Sequence, residues 1–205
     1  MFCRFHALKL IGALLWTQLA LSGVASEKRE WVKLADCSYV AGRYNDGDSF
    51  RVRSGTNEFI LRLYFVDAPE TNLRYPERTR EQSEYFGATI EETMKAGVEA
   101  DKAVREVLRG PFVVWTRWAT AAGRSKDRRC YGMVEIGGKD LGEILVSRGL
   151  ARPKGVSISL PHGGKARDKF DKLRQLEDEA KEKRAGIWAH FTQSSGANSA
   201  RHEGS

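Results

Sequence analysis

The chain has 205 residues, of which 41% are hydrophobic and 30% are charged. This composition is typical of a soluble globular protein. The length is sufficient for one domain, or at most for two small ones. The formal net charge of +7 favours an anionic partner such as nucleic acid or a membrane surface, although a charge of this size also serves solubility alone.

Residues 1–25 predict a signal peptide. Arg4 and Lys9 lie around the start of an apolar stretch at residues 10–21, and the small residues 23–25 form a cleavage site that ends at Ala25. The apolar stretch is short for a membrane span, so the mature protein is expected to contain none; the alternative is an uncleaved anchor. Cleavage predicts a protein exported to the periplasm or secreted.

Export changes the interpretation of the cysteines. Cys3 leaves with the signal peptide, and Cys37 and Cys130 remain in the mature chain. An even pair in an oxidising compartment favours a disulfide bond, and the alternative is two buried thiols.

The first half of the mature chain predicts a meander followed by a helix. Strands are predicted at residues 38–44, 49–53 and 58–66, joined by polar turns. Residues 71–88 are highly charged and contain Pro76, which predicts a loop with at most a short helix. Residues 89–109 have apolar side chains at helical spacing and predict a helix.

The second half predicts two more strands and two more helices. The strands lie at residues 112–118 and 131–136, on either side of a basic loop at residues 119–129. The helices are predicted at residues 140–149 and 165–185, with a loop at 152–164 between them. Residues 191–205 are polar and are expected to form a disordered tail.

This order of elements predicts an α+β domain at residues 26–190. Five short strands with a helix between the third and fourth match a five-stranded Greek-key β-barrel of the oligonucleotide/oligosaccharide-binding type (OB-fold), here with three α-helices. The alternative is an open α+β sheet.

The meander brings two acidic residues together. Because a hairpin places the start of one strand beside the end of the next, Asp48 and Asp67 are expected at one end of the sheet. Two carboxylates repel each other unless a cation lies between them or one is protonated, and hard oxygen ligands favour Ca²⁺ or Mg²⁺. The carbonyl of Ala68 can complete the ligand set, and Asp46 can support it from outside.

Arg62 is unusual because apolar residues surround it in the third predicted strand. One interpretation is a buried ion pair with Glu70, and the other is a guanidinium that binds an oxyanion or phosphate. A straight strand would separate the Cα atoms of Arg62 and Asp67 by roughly 16–17 Å, so the chain must bend if both serve one site.

Four stretches carry a resemblance to a known family: NDGDSF at residues 45–50, LRLYFVDAPE at 61–70, KDRRCYGMVEIGGKDLGEILVSRGLA at 126–151 and AGIW at 185–188. Through them, the chain from about residue 38 to 188 resembles the staphylococcal nuclease family. The resemblance implies an OB-fold barrel with three helices and Ca²⁺-dependent hydrolysis of DNA and RNA, which leaves a 3′-phosphate and a 5′-hydroxyl.

The resemblance also implies a role for each matching residue. Asp48, Asp67 and the Ala68 carbonyl match the Ca²⁺ ligands of the family. Glu70 matches the carboxylate that activates or positions the attacking water. Arg62 and Arg129 match the two arginines that bind the phosphate and stabilise the transition state.

The sequence departs from the family pattern in the basic loop. Asp127 and Arg128 precede Arg129 where the family has Tyr-Gly, so Arg128 is an alternative second phosphate-binding arginine. Arg124 and Lys126 are candidates for further, non-specific phosphate contacts. The family's base-stacking tyrosines have no match after residue 151.

The implied partners are DNA and RNA, with single-stranded or unfolded regions preferred, and we expect a monomer with no stable protein partner. One alternative function is a non-catalytic nucleic-acid-binding module on the same fold, and another is a carbohydrate-binding barrel. Retention of Asp48, Asp67, Glu70 and Arg62 argues against the non-catalytic module.

Overall fold

The computed structural model describes residues 30–121, 128–156 and 158–190. The predicted signal peptide and tail lie outside the described residues, as do Arg124 and Lys126. In the part of the chain that the structure describes, no helix is both long and apolar enough to cross a membrane.

Five strands pair in a closed ring. They are β1 (Val32–Val40), β2 (Ser49–Ser54), β3 (Asn57–Leu63), β5 (Phe112–Thr120) and β6 (Arg129–Ile136). The first strand is antiparallel to β2 and β5, while β3 is antiparallel to β2 and parallel to β6. Antiparallel pairing of β5 with β6 completes the ring. The five predicted strands and their meander are therefore present.

Alternation along the strands builds the core inside this ring. Phe50 and Val52 on β2 and Phe59 and Leu61 on β3 are buried, and the residues between them are more exposed. Successive side chains of a strand point to opposite faces, so this alternation leaves an inner apolar face and an outer polar one. Each large apolar side chain on the inner face contributes roughly 1.5–3 kcal/mol.

The described residues form four α-helices, so the prediction of three was wrong. They are α1 (Pro76–Phe86), α2 (Ile90–Val107), α3 (Leu141–Ser147) and α4 (Ala166–Glu182), and a 3₁₀ helix follows at Gly186–His190. The extra helix is α1, in the segment predicted as a loop with at most a short helix. Pro76 does not break it because it lies in the first turn, where a missing N–H costs nothing.

The caps of two helices follow from their sequences. The Thr89 hydroxyl and the Glu92 carboxylate form a reciprocal capping box at the start of α2. At the start of α3, the Asp140 carboxylate accepts the backbone N–H of Glu143 at 2.9 Å, as their spacing predicts. Three further short strands complete the element list: β4 (Val66–Asp67), β7 (Lys139–Asp140) and β8 (Arg152–Pro153).

Two predicted strands differ most from the structure. The first strand spans Val32–Val40 rather than residues 38–44, and a bulge between Leu34 and Cys37 disrupts the alternation that would have indicated its start. The predicted strand at residues 58–66 is two strands, β3 and β4, separated by Tyr64 and Phe65; the φ of Phe65 is 67°. A left-handed Phe costs roughly 1–3 kcal/mol, and burial of its ring against Phe170 offsets that cost.

The predicted disulfide is absent, because Cys37 and Cys130 are both buried free thiols. Cys37 lies opposite Phe112 on β5, whereas Cys130 lies opposite Thr120, near the other end of the same strand. This register keeps the two Cα atoms well beyond the roughly 7 Å that a disulfide tolerates. Burial raises the pKa of both thiols.

Candidate active site

The break at Phe65 brings Arg62 to the acidic residues. The chain turns between β3 and β4, and Nη2 of Arg62 donates to Oδ1 of Asp67 at 2.9 Å. Its Nη1 donates to Oδ1 of Asp48, which the β2–β3 hairpin places beside Leu63. One guanidinium thus joins the two aspartates that the sequence analysis placed at one end of the sheet.

Asp48 is buried and fixed by backbone contacts. Its Oδ2 accepts the N–H of Ala68 at 2.8 Å, and its carbonyl accepts the N–H of Leu63 at 2.8 Å. The preceding Gly47 packs so closely that a Cβ there would lie 2.6 Å from Ala100 and 2.8 Å from Ala68. A glycine is therefore required where this turn meets α2.

Asp67 accepts hydrogen bonds from four side chains. Arg62 and Arg78 donate to Oδ1, while Gln82 Nε2 and Arg152 Nε donate to Oδ2 at 3.0 and 2.9 Å. Burial alone would raise the pKa of Asp67, but the positive charges of Arg78 and Arg62 outweigh it and lower the pKa to about 2. Asp67 is therefore ionised throughout the physiological range.

Glu70 lies at the edge of the same cluster. Its Oε1 forms an ion pair with Nε of Arg78 at 2.9 Å, and its backbone N–H donates to Oε1 of Gln82 at 2.8 Å. Burial raises the pKa of Glu70, Arg78 only partly offsets this, and the charges of Asp48 and Asp67 raise it further. A carboxylate with a raised pKa accepts a proton more readily than an ordinary glutamate.

Helix α2 supports the segment that carries Glu70. A Cβ at Gly97 would lie 2.6 Å from the carbonyl oxygens of both Pro69 and Glu70. Only glycine permits this approach, so a larger residue there would push the Glu70 backbone away.

Asp46 lies next to Asp48 and outside the ion pairs. Its Oδ1 accepts the backbone N–H of Asp48 at 3.2 Å, and its own N–H donates to the Ser49 carbonyl at 2.8 Å. Burial and the neighbouring Asp48 charge raise its pKa well above the usual range. Asp46 thus holds the turn that presents Asp48.

Arg129 and Arg128 differ in where they lie. Arg129 is opposite Ile60, and Arg62 is opposite Tyr131, two residues further along β6. The side chains of all four residues lie on the outer face of their strands. Measured along the strand direction, the Cα of Arg129 is two residues, or roughly 7 Å, from the position opposite Arg62. Arg128 is exposed, and its guanidinium lies over the Trp118 ring at 4.4 Å.

Sequence reasoning missed three side chains of this cluster: Arg78 and Gln82 on α1, and Arg152 on β8. Arg78 and Gln82 are four residues apart and so share one helix face, a pattern that the charged composition and Pro76 obscured. Arg152 is 85 residues from Asp67 in the chain, and only the pairing of β8 with β4 makes them neighbours.

Arg152 is buried and links the cluster to a second acidic group. Its Nη2 donates to Glu81 at 2.6 Å, and its guanidinium lies 4.9 Å from the Tyr85 ring centroid. Lys154 also binds Glu81, at 2.8 Å. The hydrogen bond from Arg152 lowers the pKa of Glu81, and the contact with Lys154 lowers it further.

The cluster opens into a pocket with three cationic side chains in its wall. Arg62, Asp67, Arg78, Lys154 and Gly155 line it, and its volume is about 290 Å³. We call it the cationic pocket because three of these five residues are cationic, although each of the three is paired with a carboxylate. Their N–H groups are donors of the kind that bind a phosphate group.

The cluster has the donor atoms of a hard-metal site, but they face guanidinium groups. Among the residues that the structure describes, no group of three or more His, Cys, Asp or Glu side chains is arranged to hold a metal ion. Asp48, Asp67 and Glu70 nevertheless supply the carboxylate oxygens that Ca²⁺ prefers. The Ala68 carbonyl accepts Gln82 Nε2 at 2.9 Å and has a second lone pair available. The donor set fits a divalent cation chemically.

Comparison with known protein families identifies the family of this chain. The family model described as staphylococcal nuclease homologue matches residues 60–190. This range includes Arg62, Asp67, Glu70 and Arg129 and begins after Asp48. No curated protein matches the chain.

Proposed function

This chain belongs to the staphylococcal nuclease homologue family, and on that premise we propose that it is a Ca²⁺-dependent nuclease that hydrolyses phosphodiester bonds of DNA and RNA. The observation that carries the proposal is the single cluster in which Arg62 contacts both Asp48 and Asp67 and Arg78 links Asp67 to Glu70. The sequence alone left these residues separated along a strand.

Arg62 is the residue proposed to bind the scissile phosphate. Burial would lower its pKa, but the charges of Asp48 and Asp67 outweigh this and raise it, so the guanidinium stays charged. It is fixed at two nitrogens and lines the cationic pocket, so it can orient a phosphate without a large loss of side-chain entropy. A fixed cation at that place also stabilises the charge of a pentacoordinate transition state.

Arg129 is proposed as the second phosphate-binding arginine. It shares the outer face of β3 and β6 with Arg62, whereas Arg128 packs its guanidinium on Trp118. Two arginines on one face can bind two oxygens of the same phosphate.

Glu70 is proposed to position the attacking water and accept its proton. Its raised pKa suits a general base better than an ordinary glutamate, and Gln82 and Gly97 fix its backbone. The lowered pKa of Asp67 gives the neighbouring acid a different role, that of a permanent anion.

Asp48, Asp67 and the Ala68 carbonyl would hold the Ca²⁺ ion. When bound, Ca²⁺ would supply charge neutralisation at a non-bridging phosphate oxygen. Asp46 supports this ligand set through the Asp48 backbone.

The proposal also includes the type of barrel, the cellular location, the oligomeric state and the preferred form of nucleic acid. The closed ring of five strands is inferred to be an OB-fold barrel, a fold whose open face binds oligonucleotides. Export by a cleaved signal peptide, a monomeric state and a preference for single-stranded nucleic acid remain predictions.

A second candidate is a non-catalytic nucleic-acid-binding module. It is favoured by one observation: guanidinium groups already neutralise the carboxylates of Asp48, Asp67 and Glu70. Such a module would bind oligonucleotides through the cationic pocket, lose affinity steeply with salt and cleave nothing.

One assay separates the two candidates. The mature protein is incubated with a 5′-labelled single-stranded DNA of mixed sequence, in millimolar Ca²⁺ and in excess chelator. A nuclease gives short products in Ca²⁺ only, whereas a binding module shifts the DNA in a gel without shortening it.

A further inference from the structure

Arg78 lies at the centre of the acidic cluster. Its Nε is 2.9 Å from Oε1 of Glu70, its Nη2 donates to Oδ1 of Asp67, and the same Nη2 is 4.0 Å from Oδ2 of Asp48. One guanidinium therefore spans all three carboxylates that the proposed function assigns to metal and water.

Of the three arginines in the cluster, Arg78 is the one that can leave. Its side chain is 36% exposed, whereas that of Arg62 is 13% exposed and that of Arg152 is 1% exposed. It is carried by helix α1 and lines the pocket, so rotation about its side-chain bonds moves the guanidinium into solvent without moving any strand.

The charges explain why one cation must leave. Asp48, Asp67 and Glu70 provide three carboxylates, and three guanidiniums face them, so the formal charges cancel. A dication added to this set would leave an excess of positive charge in a poorly solvated site, where like charges repel strongly. Departure of Arg78 restores the negative charge that attracts a dication.

We propose that Arg78 is a built-in counter-ion that occupies the cation position between Asp67 and Glu70, and that Ca²⁺ binding requires its guanidinium to leave. The inference rests on the proposed Ca²⁺ dependence and adds a residue that the family resemblance did not indicate. Arg78 stabilises the acidic cluster without metal and weakens its affinity for metal.

The test is calorimetric titration of Ca²⁺ into the mature protein, without nucleic acid, for wild type, R78Q and R80Q. Arg80 is the matched control because it lies on the same helix, carries the same charge and pairs only with the exposed Glu77 among the contacts described for it. R78Q should bind Ca²⁺ roughly tenfold or more tightly than wild type. R80Q should stay within about threefold of wild type, since solvent screens its charge.

A second measurement uses the unaltered protein. The side-chain Nε of Arg78 lies 2.9 Å from Oε1 of Glu70, so the NMR resonance of its Nε–H should move or broaden as Ca²⁺ is added. The Nε–H of Arg152, which stays bound to Asp67 in the interior, should remain protected. The R78Q spectrum assigns the resonance.

The outcomes separate this inference from the proposed function. Equal or weaker Ca²⁺ affinity in R78Q overturns the inference even if wild type cleaves DNA, and so does the absence of Ca²⁺ binding by both proteins. Tighter binding by R78Q with no cleavage by wild type supports the inference and overturns the nuclease proposal. An unmoved Arg78 resonance at saturating Ca²⁺ also overturns the inference.

Discussion

Replacing Asp67 with Asn should remove the main electrostatic stabilisation of the cluster. Asp67 accepts hydrogen bonds from Arg62, Arg78 and Arg152, and its pKa falls from 3.8 to about 2. That depression corresponds to about 2.5 kcal/mol of stability in the ionised form. Asn keeps the shape but leaves the buried Arg152 short of a negative charge, so D67N should lose about 2–4 kcal/mol at pH 7.

The ion pairs of Asp67 also determine how the stability of the protein changes with pH. The folded-state pKa of Asp67 lies below its unfolded value, so its stabilisation is present above about pH 4 and is lost as the pH falls toward 2. The stability difference between wild type and D67N should therefore be full at pH 6 and should shrink by about 2 kcal/mol by pH 2.

Urea unfolding followed by circular dichroism, in chelator and at several pH values, measures the stability lost in D67N and the change of that loss with pH. D171N is the matched control, because the pairs described for Asp171 are exposed and lie within α4, so the substitution should change stability by less than about 0.5 kcal/mol. A D67N stability deficit that stays constant from pH 6 to pH 2, or one no larger than that of D171N, would refute the reasoning.

Three further predictions follow from the same structure. In saturating Ca²⁺, wild-type cleavage should slow as the pH falls through the raised pKa of Glu70, and a rate that is unchanged down to pH 4 would contradict its role as a base. R129Q should lower kcat by roughly 100-fold and R128Q by less than about threefold, measured on one labelled oligonucleotide; the reverse order would exchange their roles. Thiol titration of the unfolded mature protein without reductant should find both Cys37 and Cys130 reduced, and no reactive thiol would show that the disulfide forms after all.

The strand ring was largely predictable from local patterns. Alternating burial along β2 and β3 follows from alternating apolar residues, and the turn between them follows from its small polar residues. These two features also predicted that Asp48 and Asp67 lie close together. Local rules suffice here because hairpin pairing joins residues that are near in the chain.

The geometry that unites the cluster was not predictable in the same way. The left-handed backbone of Phe65 has no sequence signature, because Phe rarely adopts that conformation, yet it sets the distance between Arg62 and Asp67. The contact of Arg152 with Asp67 depends on a two-residue strand pairing across 85 residues. Tertiary packing decides both features.

Helix α1 was not predicted from the sequence for a different reason. Its charged residues and Pro76 resemble a loop in composition, and its buried face consists largely of polar residues such as Gln82 rather than apolar ones. A hydrophobic pattern cannot reveal a helix whose buried face makes hydrogen bonds to an active-site cluster. For that reason, Arg78 escaped the sequence analysis.

The most direct test of the nuclease proposal compares wild type, E70Q and E84Q on single-stranded DNA in Ca²⁺. Glu84 is an exposed glutamate of α1 and serves as the matched control. Wild type and E84Q should degrade the DNA only when Ca²⁺ is present, and E70Q should cleave it roughly 100-fold or more slowly while binding it with similar affinity. Binding without cleavage by all three proteins, in Ca²⁺ as in chelator, would contradict the proposal and identify a nucleic-acid-binding module.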